Sequence, residues 1–214
     1  MAPRAVIFDF NGTLSDDEPL MYRIYEEMFG REGRPLSQRQ YLDELAGHTE
    51  EEIIGAWLGR DRPDLAELVA ERIARYRDLS RDGSTVYAEV RDAVRYAAAK
   101  APVAIVSGAA REEIVPVVEA AGLAPLLRAI VAADDVARGK PHPEGYLRAL
   151  ALFGDGIAPA EVLVFEDTEV GVAAAKAAGM YTVGLTRTLG ADRVGAADEL
   201  IHAIDLETLQ QMLA

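Results

Sequence analysis

The sequence contains no cysteine. This absence excludes disulfides, thiolate metal sites and a thiol nucleophile, and it leaves the redox compartment open. Lysine is almost as scarce, because Lys100, Lys140 and Lys176 are the only three in 214 residues. No apolar run approaches the roughly 20 residues of a membrane span. The Met-Ala-Pro-Arg start leads directly into an apolar segment, so we expect no signal peptide and a cytoplasmic protein.

Positive charge is also in short supply, since the formal net charge is −14. Nucleic acid and anionic membranes are therefore excluded as expected partners, because both need a basic protein surface. An anionic substrate would have to rely on positive charge placed locally at its site. Hydrophobic residues make up 50% of the chain, which is enough for a sizeable core in one or two domains.

The order of apolar patterns predicts an α/β fold. A short apolar run from Ala5 to Phe8 reads as a buried strand. Helical periodicity follows over residues 16–80, where Gly30 is expected to end the first helix and Asp61-Arg62-Pro63 to start the fourth. From about Val86, strands and helices alternate, with strands expected at 103–106, 129–132, 162–165 and 181–185. This pattern is typical of a doubly wound parallel sheet with a small α-helical insertion.

Polar residues follow several of the predicted strands. Asp9, Ser107 and the pair Glu166-Asp167 each come at the end of a strand, and Lys140 lies in a later connection. Parallel strands place their carboxyl ends at one edge of a sheet, so we expect these residues to meet there. Three close carboxylates would repel, and a hard divalent cation such as Mg²⁺ would relieve that repulsion. The hydroxyl, the lysine and the loop amides would then suit a phosphoryl group.

Each of these segments also has an ordinary structural explanation. Ser107-Gly108 could be only a turn, Gly139-Lys140-Pro141 an exposed loop, and Glu166-Asp167-Thr168 a helix cap. Taken singly, each segment favours the ordinary explanation. Their combination at successive strand ends favours a functional site.

These motifs resemble those of the haloacid dehalogenase superfamily. The first motif of that family, Asp-x-Asp-Gly-Thr, stands here as Asp9-Phe10-Asn11-Gly12-Thr13, and the others match Ser107-Gly108, Gly139-Lys140-Pro141 and Phe165-Glu166-Asp167. The chain is most similar to the branch of β-phosphoglucomutase and phosphoglycolate phosphatase, in which a helical cap follows the first motif. The resemblance implies a Rossmann-like core of residues 1–14 and 85–214 and a cap of residues 15–84.

The resemblance also implies Mg²⁺-dependent phosphoryl transfer through an aspartyl-phosphate on Asp9. The expected metal residues are Asp9, the Asn11 carbonyl, Glu166 and Asp167. The expected catalytic residues are Asp9, Asn11 and Lys140, and the expected phosphate or substrate contacts are Asn11, Gly12, Ser107, Gly108, Lys140 and His48. His48 is equally well explained as a surface residue beside a helix cap. The implied partner is a small phosphorylated metabolite, and we expect a monomer or a weak homodimer.

Asn11 departs from the family pattern, because phosphatases of this kind carry a second Asp there. That carboxyl gives a proton to the leaving group and later takes one from water. An amide cannot do this, and such help is worth about 10²- to 10⁴-fold in rate. Three explanations remain open: a substrate with a good leaving group, an engineered change that traps a complex, or a protein that binds without turnover.

The predicted function is therefore a Mg²⁺-dependent phosphatase, with two alternatives. One is a β-phosphoglucomutase-like mutase. Those mutases carry a histidine where Met21 stands and an arginine near the position of Glu50, and both are absent here. A phosphate-binding relative without turnover is the other. Residues 15–84 contain no lysine, which excludes the Schiff-base chemistry of phosphonatases.

Overall fold

A six-stranded parallel sheet forms the centre of the molecule. The computed structural model describes residues 3–214. The strands are β1 (Ala5–Phe8), β2 (Val103–Val106), β3 (Leu127–Val131), β4 (Val162–Glu166), β5 (Tyr181–Leu185) and β6 (Glu199–Ile201), in the order β3-β2-β1-β4-β5-β6. Every neighbouring pair is parallel. The predicted doubly wound α/β class is confirmed.

Strand β1 lies between β2 and β4, and its register sets the position of the site. Phe8 is paired with Ile105 on one side and with Phe165 on the other. The rings of Phe8 and Phe165 stack with their centroids 5.1 Å apart. The next residue of each strand, Asp9 or Glu166, therefore emerges at the same edge of the sheet, where β1 ends.

Helices cover both faces of the sheet, as alternating side chains require when both faces are buried. The helices outside the insertion are α5 (Ala88–Lys100), α6 (Arg111–Ala120), α7 (Glu144–Phe153), α8 (Glu169–Ala177), α9 (Ala191–Val194) and α10 (Leu206–Met212). One face, with Val6 and Phe8, belongs to a large core that includes residues of α5, α6 and α10. The other face, with Ala5 and Ile7, packs with residues of α7 and α8.

A helical segment interrupts the chain between β1 and β2. It contains α1 (Glu18–Arg31), α2 (Gln38–Gln40) with a π-helical turn over Tyr41–Leu45, α3 (Glu50–Leu58) and α4 (Leu65–Ser80). The chain enters and leaves this segment at one place, because the Asp16 N–H donates to the Thr85 carbonyl at 2.8 Å. The Ser15 hydroxyl also donates to the Thr85 hydroxyl at 2.8 Å. Among residues 3–214, no helix is both long and apolar enough to cross a membrane.

Several predicted boundaries differ from the structure. Helix α4 begins at Leu65 rather than near Pro63, because the guanidinium of Arg62 binds the carboxylate of Asp64 in a local turn. Gly30 lies inside α1, which ends one residue later. The short edge strand β6 has no counterpart in the predicted strands; its first two residues are exposed, so it lacks the apolar signal of the others.

Candidate functional site

Asp9 and Lys140 are joined at the carboxyl end of β1. The Asp9 N–H donates to the Phe165 carbonyl at 2.9 Å, which fixes the backbone beside β4. Lys140 donates from Nζ to Asp9 Oδ1 and to Glu166 Oε1, each at 2.5 Å. Ligand oxygens of Asp9, Glu166 and Asp167 lie within 4.8 Å of one another. The structure thus brings together residues from three distant parts of the sequence.

Glu166 is held by five hydrogen bonds. Its Oε1 accepts from Lys140 and from the Tyr146 hydroxyl at 2.6 Å. Its Oε2 accepts from the N–H groups of Asp167 and Thr168 at 3.1 and 3.3 Å and from the Thr168 hydroxyl at 3.1 Å. Thr168 also caps α8, because its hydroxyl accepts from the Gly171 N–H. The Glu166 carboxylate is therefore well satisfied by the protein itself.

Asp167 has one oxygen without a partner among residues 3–214. Its Oδ1 accepts from the Thr13 hydroxyl at 3.1 Å, whereas its Oδ2 is buried and accepts no hydrogen bond from those residues. An unpaired carboxylate oxygen in the interior is costly unless a cation or donor compensates it. Three carboxylates face one ammonium here, so a divalent cation fits the charge as well as the oxygen donors. Asp9 and Asp167 could bind such an ion directly.

Two glycines make room for these carboxylates. A Cβ on Gly12 would lie 1.9 Å from Asp167 Oδ2, and Gly12 also has a φ of +72°, which L-residues rarely adopt. A Cβ on Gly171 would lie 1.9 Å from Glu166 Oε1. Neither position can carry a side chain without displacing a site carboxylate.

Burial and crowding change the proton affinities of the site. Burial raises the pKa of Asp9 to about 7, although Lys140 acts in the opposite direction. Burial, followed by the charges of Asp9 and Glu166, raises the pKa of Asp167 well above its ordinary value. Burial lowers the pKa of Lys140, but the negative charges of Asp9 and Glu166 have the larger effect, so the pKa of the ammonium is raised. Lys140 therefore stays charged and supplies the local positive charge that the acidic protein otherwise lacks.

Asn11 is connected to an acidic residue that is not in the cavity wall. Its Nδ2 donates to Asp17 Oδ2 at 2.8 Å. The buried Asp17 carboxylate also accepts from the Gly12 N–H at 3.2 Å and from the Tyr76 hydroxyl at 2.5 Å. Burial raises the pKa of Asp17, and these donors partly offset the effect. The Asn11 amide is thus fixed by Asp17, the N-cap residue of α1, which Tyr76 of α4 holds in turn.

A cavity of about 720 Å³ lies over Asp9 and Lys140. Ser107, Gly108 and His48, which the sequence analysis proposes as phosphate or substrate contacts, all line it. Gly12 does not line the cavity, and its N–H donates to the Ser15 carbonyl and to Asp17. The role of Gly12 in phosphate binding therefore stays a prediction, as do the roles of the other predicted contacts.

Three residues of this region were not predicted from the sequence. Tyr146 lies in the first turn of α7 and fixes Glu166. Glu18 is the first residue of α1, lines the cavity and accepts from the Tyr41 hydroxyl at 2.8 Å. His142 also lines the cavity. Tyr146 and His142 follow Lys140 closely in the sequence, whereas no sequence signal places Glu18 at the cavity.

Comparison with known proteins identifies the family. The sequence model of the haloacid dehalogenase-like hydrolases matches residues 3–179. The chain belongs to that family. This haloacid dehalogenase-like hydrolase is 30% identical over 203 residues to validoxylamine A 7'-phosphate phosphatase of Streptomyces hygroscopicus subsp. limoneus, with 92% of each chain covered. It is 31% identical over 201 residues to protein CbbY of Rhodobacter capsulatus, with 86% of this chain and 85% of that one covered.

Solved structures share the fold of this hydrolase. CbbY from Rhodobacter sphaeroides in complex with phosphate superposes with a TM-score of 0.80 at 24% identity and covers 94% of both chains. β-Phosphoglucomutase from Clostridium difficile gives a TM-score of 0.82 at 18% identity and covers 100% of this chain and 97% of that one. At these identities the likeness extends to the fold.

Proposed function

We propose that this protein is a Mg²⁺-dependent phosphatase that hydrolyses a small phosphorylated metabolite through an aspartyl-phosphate on Asp9. The observation that carries the proposal is the pairing of Asp9 with Lys140 beside the unpaired oxygen of Asp167, at the base of a cavity. Relatives named as phosphatases of phosphoglycolate and of validoxylamine A 7'-phosphate support the same reaction class.

The chain's own residues divide the chemistry between them. Asp9 is the nucleophile, and Lys140 holds its carboxylate and balances charge that develops on the transferring oxygens. Ser107 and Gly108 line the cavity at the end of β2, where they would contact the phosphoryl group. Asp9, the Asn11 carbonyl and Asp167 would hold Mg²⁺, and Glu166 would lie nearby and hold water bound to the ion. When bound, the ion would supply Lewis-acid stabilisation of the phosphoryl charge.

The domain division is part of the proposal. Residues 15–84 would form the cap, and residues 1–14 and 85–214 the core. The adjacent crossings at Asp16 and Thr85 support this division, because the chain leaves the sheet region and returns to it at one point. Cap closure over the cavity would exclude water from the reacting phosphorus. A monomer or weak homodimer and a cytoplasmic location stay predictions.

Two other functions can be distinguished from phosphate hydrolysis by experiment. A phosphosugar mutase of the β-phosphoglucomutase kind would be expected to carry a histidine where Met21 stands, but the thioether there faces the Arg72 guanidinium and cannot exchange a proton. A phosphate-binding protein without turnover would use the same residues but would release no phosphate. Asn11 is the observation that favours this second alternative.

The proposal predicts that the purified protein releases inorganic phosphate in Mg²⁺ and that Asp9→Asn reduces the rate at least about 10³-fold, because the nucleophile is lost. The substrate panel contains sugar phosphates, phosphoglycolate, nucleotides and pyrophosphate. Asp92→Asn, which alters an exposed pair with Arg95, is the matched control and retains activity. Isomerised product without phosphate would favour the mutase, and phosphate binding without turnover would favour the third function.

A further inference from the structure

Glu18 occupies an unusual position for an acidic residue, since no residue in the range 3–214 forms an ion pair with it. It begins α1 and lines the cavity together with Asp9, Asn11 and Lys140. One carboxyl oxygen accepts from the Tyr41 hydroxyl at 2.8 Å, which orients the group. The other oxygen has no hydrogen-bond partner among the described residues.

The other carboxylates of the cavity wall are engaged elsewhere or exposed. Glu50 lies 3.2 Å from the guanidinium of the buried Arg72. Glu52 accepts from the Thr49 N–H and hydroxyl in the capping box of α3. Glu51 is exposed to solvent. Of the acidic residues on the cap side of the cavity, Glu18 is therefore best placed to exchange a proton with a bound substrate.

The same position would compensate for Asn11. The amide of Asn11 cannot give a proton to a leaving group, and its Nδ2 is already committed to Asp17. Asp17 does not line the cavity and is enclosed by the groups that donate to it. We propose that Glu18 is the general acid and base of the reaction in place of a carboxyl at position 11; this assignment rests on the proposed phosphatase function.

The proton transfers balance over one turnover. A carboxylate oxygen of Asp9 attacks phosphorus, the bond from phosphorus to the leaving oxygen breaks, and the Glu18 carboxyl gives its proton to that oxygen. The Glu18 carboxylate then takes a proton from water as the water oxygen attacks the aspartyl-phosphate. The bond from phosphorus to Asp9 breaks, orthophosphate leaves, and both side chains return to their starting state.

The surroundings of Glu18 suit this exchange. Burial, followed by the neighbouring charge of Asp17, raises its pKa to about 7, and Asp16 adds to the rise. The Tyr41 hydroxyl and the more distant Arg72 act in the opposite direction. The charge of Glu18 also contributes to the raised pKa of Asp167. A carboxyl that changes protonation near neutral pH can act efficiently as both acid and base.

The experiment compares two leaving groups in wild type and Glu18→Gln. Glutamine keeps an oxygen that accepts from Tyr41, so the fold is preserved. For an alkyl phosphate such as glycerol phosphate, the variant should form the phosphoenzyme about 10²-fold more slowly, because the alkoxide needs a proton. For p-nitrophenyl phosphate, whose leaving group needs none, the burst of p-nitrophenolate should be unchanged while later turnover slows. The wild-type rate on the alkyl phosphate should also decline above about pH 7, and the variant should lose this decline.

The matched control is Glu26→Gln. Glu26 lies on α1 like Glu18 and accepts a hydrogen bond from a tyrosine hydroxyl, that of Tyr22, but at the exposed surface. A further variant, Asn11→Asp with Glu18→Gln, should recover the alkyl phosphate rate. The assignment would be overturned if wild type and Glu18→Gln had equal rates on the alkyl phosphate. It would also be overturned if the variant formed the phosphoenzyme equally slowly from both substrates. Absence of phosphate release by the wild type from every substrate would overturn the proposed function itself, and the assignment with it.

Discussion

At the scale of single residues, Asn11 and Asp17 act as a pair. The Asn11 amide donates to a carboxylate that has no exposed surface. A carboxyl at position 11 would face Asp17, and two such groups at hydrogen-bond distance share a proton because both cannot ionise freely. The identity of residue 11 is therefore linked to the charge at residue 17.

Asn11→Asp is expected to raise kcat for alkyl phosphates by up to about tenfold, which is less than the effect of a sole general acid because Glu18 already supplies a proton. Asp17→Ser in addition should raise it further by removing the repulsion. Steady-state phosphate release measures both effects. Asn11→Ser, which adds no carboxyl, is the control. An unchanged or lower rate in the single and double variants would contradict this account of position 11.

Residues at strand ends could be identified from the sequence, whereas residues on helices that face the site could not. Asp9, Glu166 and Asp167 directly follow or end apolar runs, and parallel strands necessarily bring such positions to one edge. Tyr146 reaches the site only through the rotation of α7 against the sheet, and Glu18 only through the placement of α1 beside α4. That rotation depends on tertiary packing, which local periodicity does not specify.

At the scale of secondary-structure elements, α4 and α6 are joined by a buried ion pair. Arg72 of α4 and Glu113 of α6 are both fully buried, and the Arg72 guanidinium donates to Glu113. The guanidinium carbon also lies 5.8 and 5.3 Å from the ring centroids of Tyr25 and Tyr76. Since α4 lies in the proposed cap and α6 outside it, this pair fixes one against the other.

Glu113→Ala is expected to lower the free energy of unfolding by about 3–5 kcal/mol, because it leaves a buried guanidinium without its main partner. Glu112→Ala is the matched control: Glu112 is the preceding residue and also pairs α6 with α4, through the exposed Arg77. That pair should be worth about 1 kcal/mol or less. Urea unfolding gives both values, and equal losses would contradict the role given to burial.

The boundaries of the helices were predictable where a side chain caps them. Thr49 and Glu52 form a capping box at the start of α3, and this Thr-x-x-Glu spacing is a sequence signature of a helix start. The start of α4 was less predictable, because an ion pair between Arg62 and Asp64 competes with helix formation at Pro63. Such local competition has no periodic signature in the sequence.

At the scale of the whole molecule, buried carboxyls link stability to pH. Burial raises the pKa values of Asp9, Glu18 and Glu113 to about 7, and it also raises that of Asp167. The folded state therefore binds protons more tightly than the unfolded state at these positions. Their contribution to stability is fully present below about pH 4 and is lost as the pH rises through about 7. Carboxyls with lowered pKa, such as Asp135, lose their stabilising effect only at more acidic pH.

Without divalent ions, Tm should therefore fall between pH 5 and pH 8. Mg²⁺ should raise Tm, and more at pH 8 than at pH 5, because the ion competes with protons for Asp9 and Asp167. Asp167→Asn should be more stable than wild type at pH 8 without metal and should lose most of the response to Mg²⁺. Differential scanning fluorimetry with EDTA or Mg²⁺ measures these shifts. A response to Mg²⁺ that persists in Asp167→Asn would contradict the proposed metal residues.

The hydrogen bond from Asp16 to Thr85 has an evolutionary consequence. Two backbone crossings that lie side by side act as a single attachment point, so a helical segment can be exchanged there if the replacement restores the packing around Phe8 and the contact with α6. Ancestral genes could therefore have acquired new recognition surfaces by insertion while Asp9, Lys140 and Asp167 stayed in place. A chimaera that carries the corresponding segment of another relative between these two residues should keep the nucleophile in place and take its substrate preference from the donor.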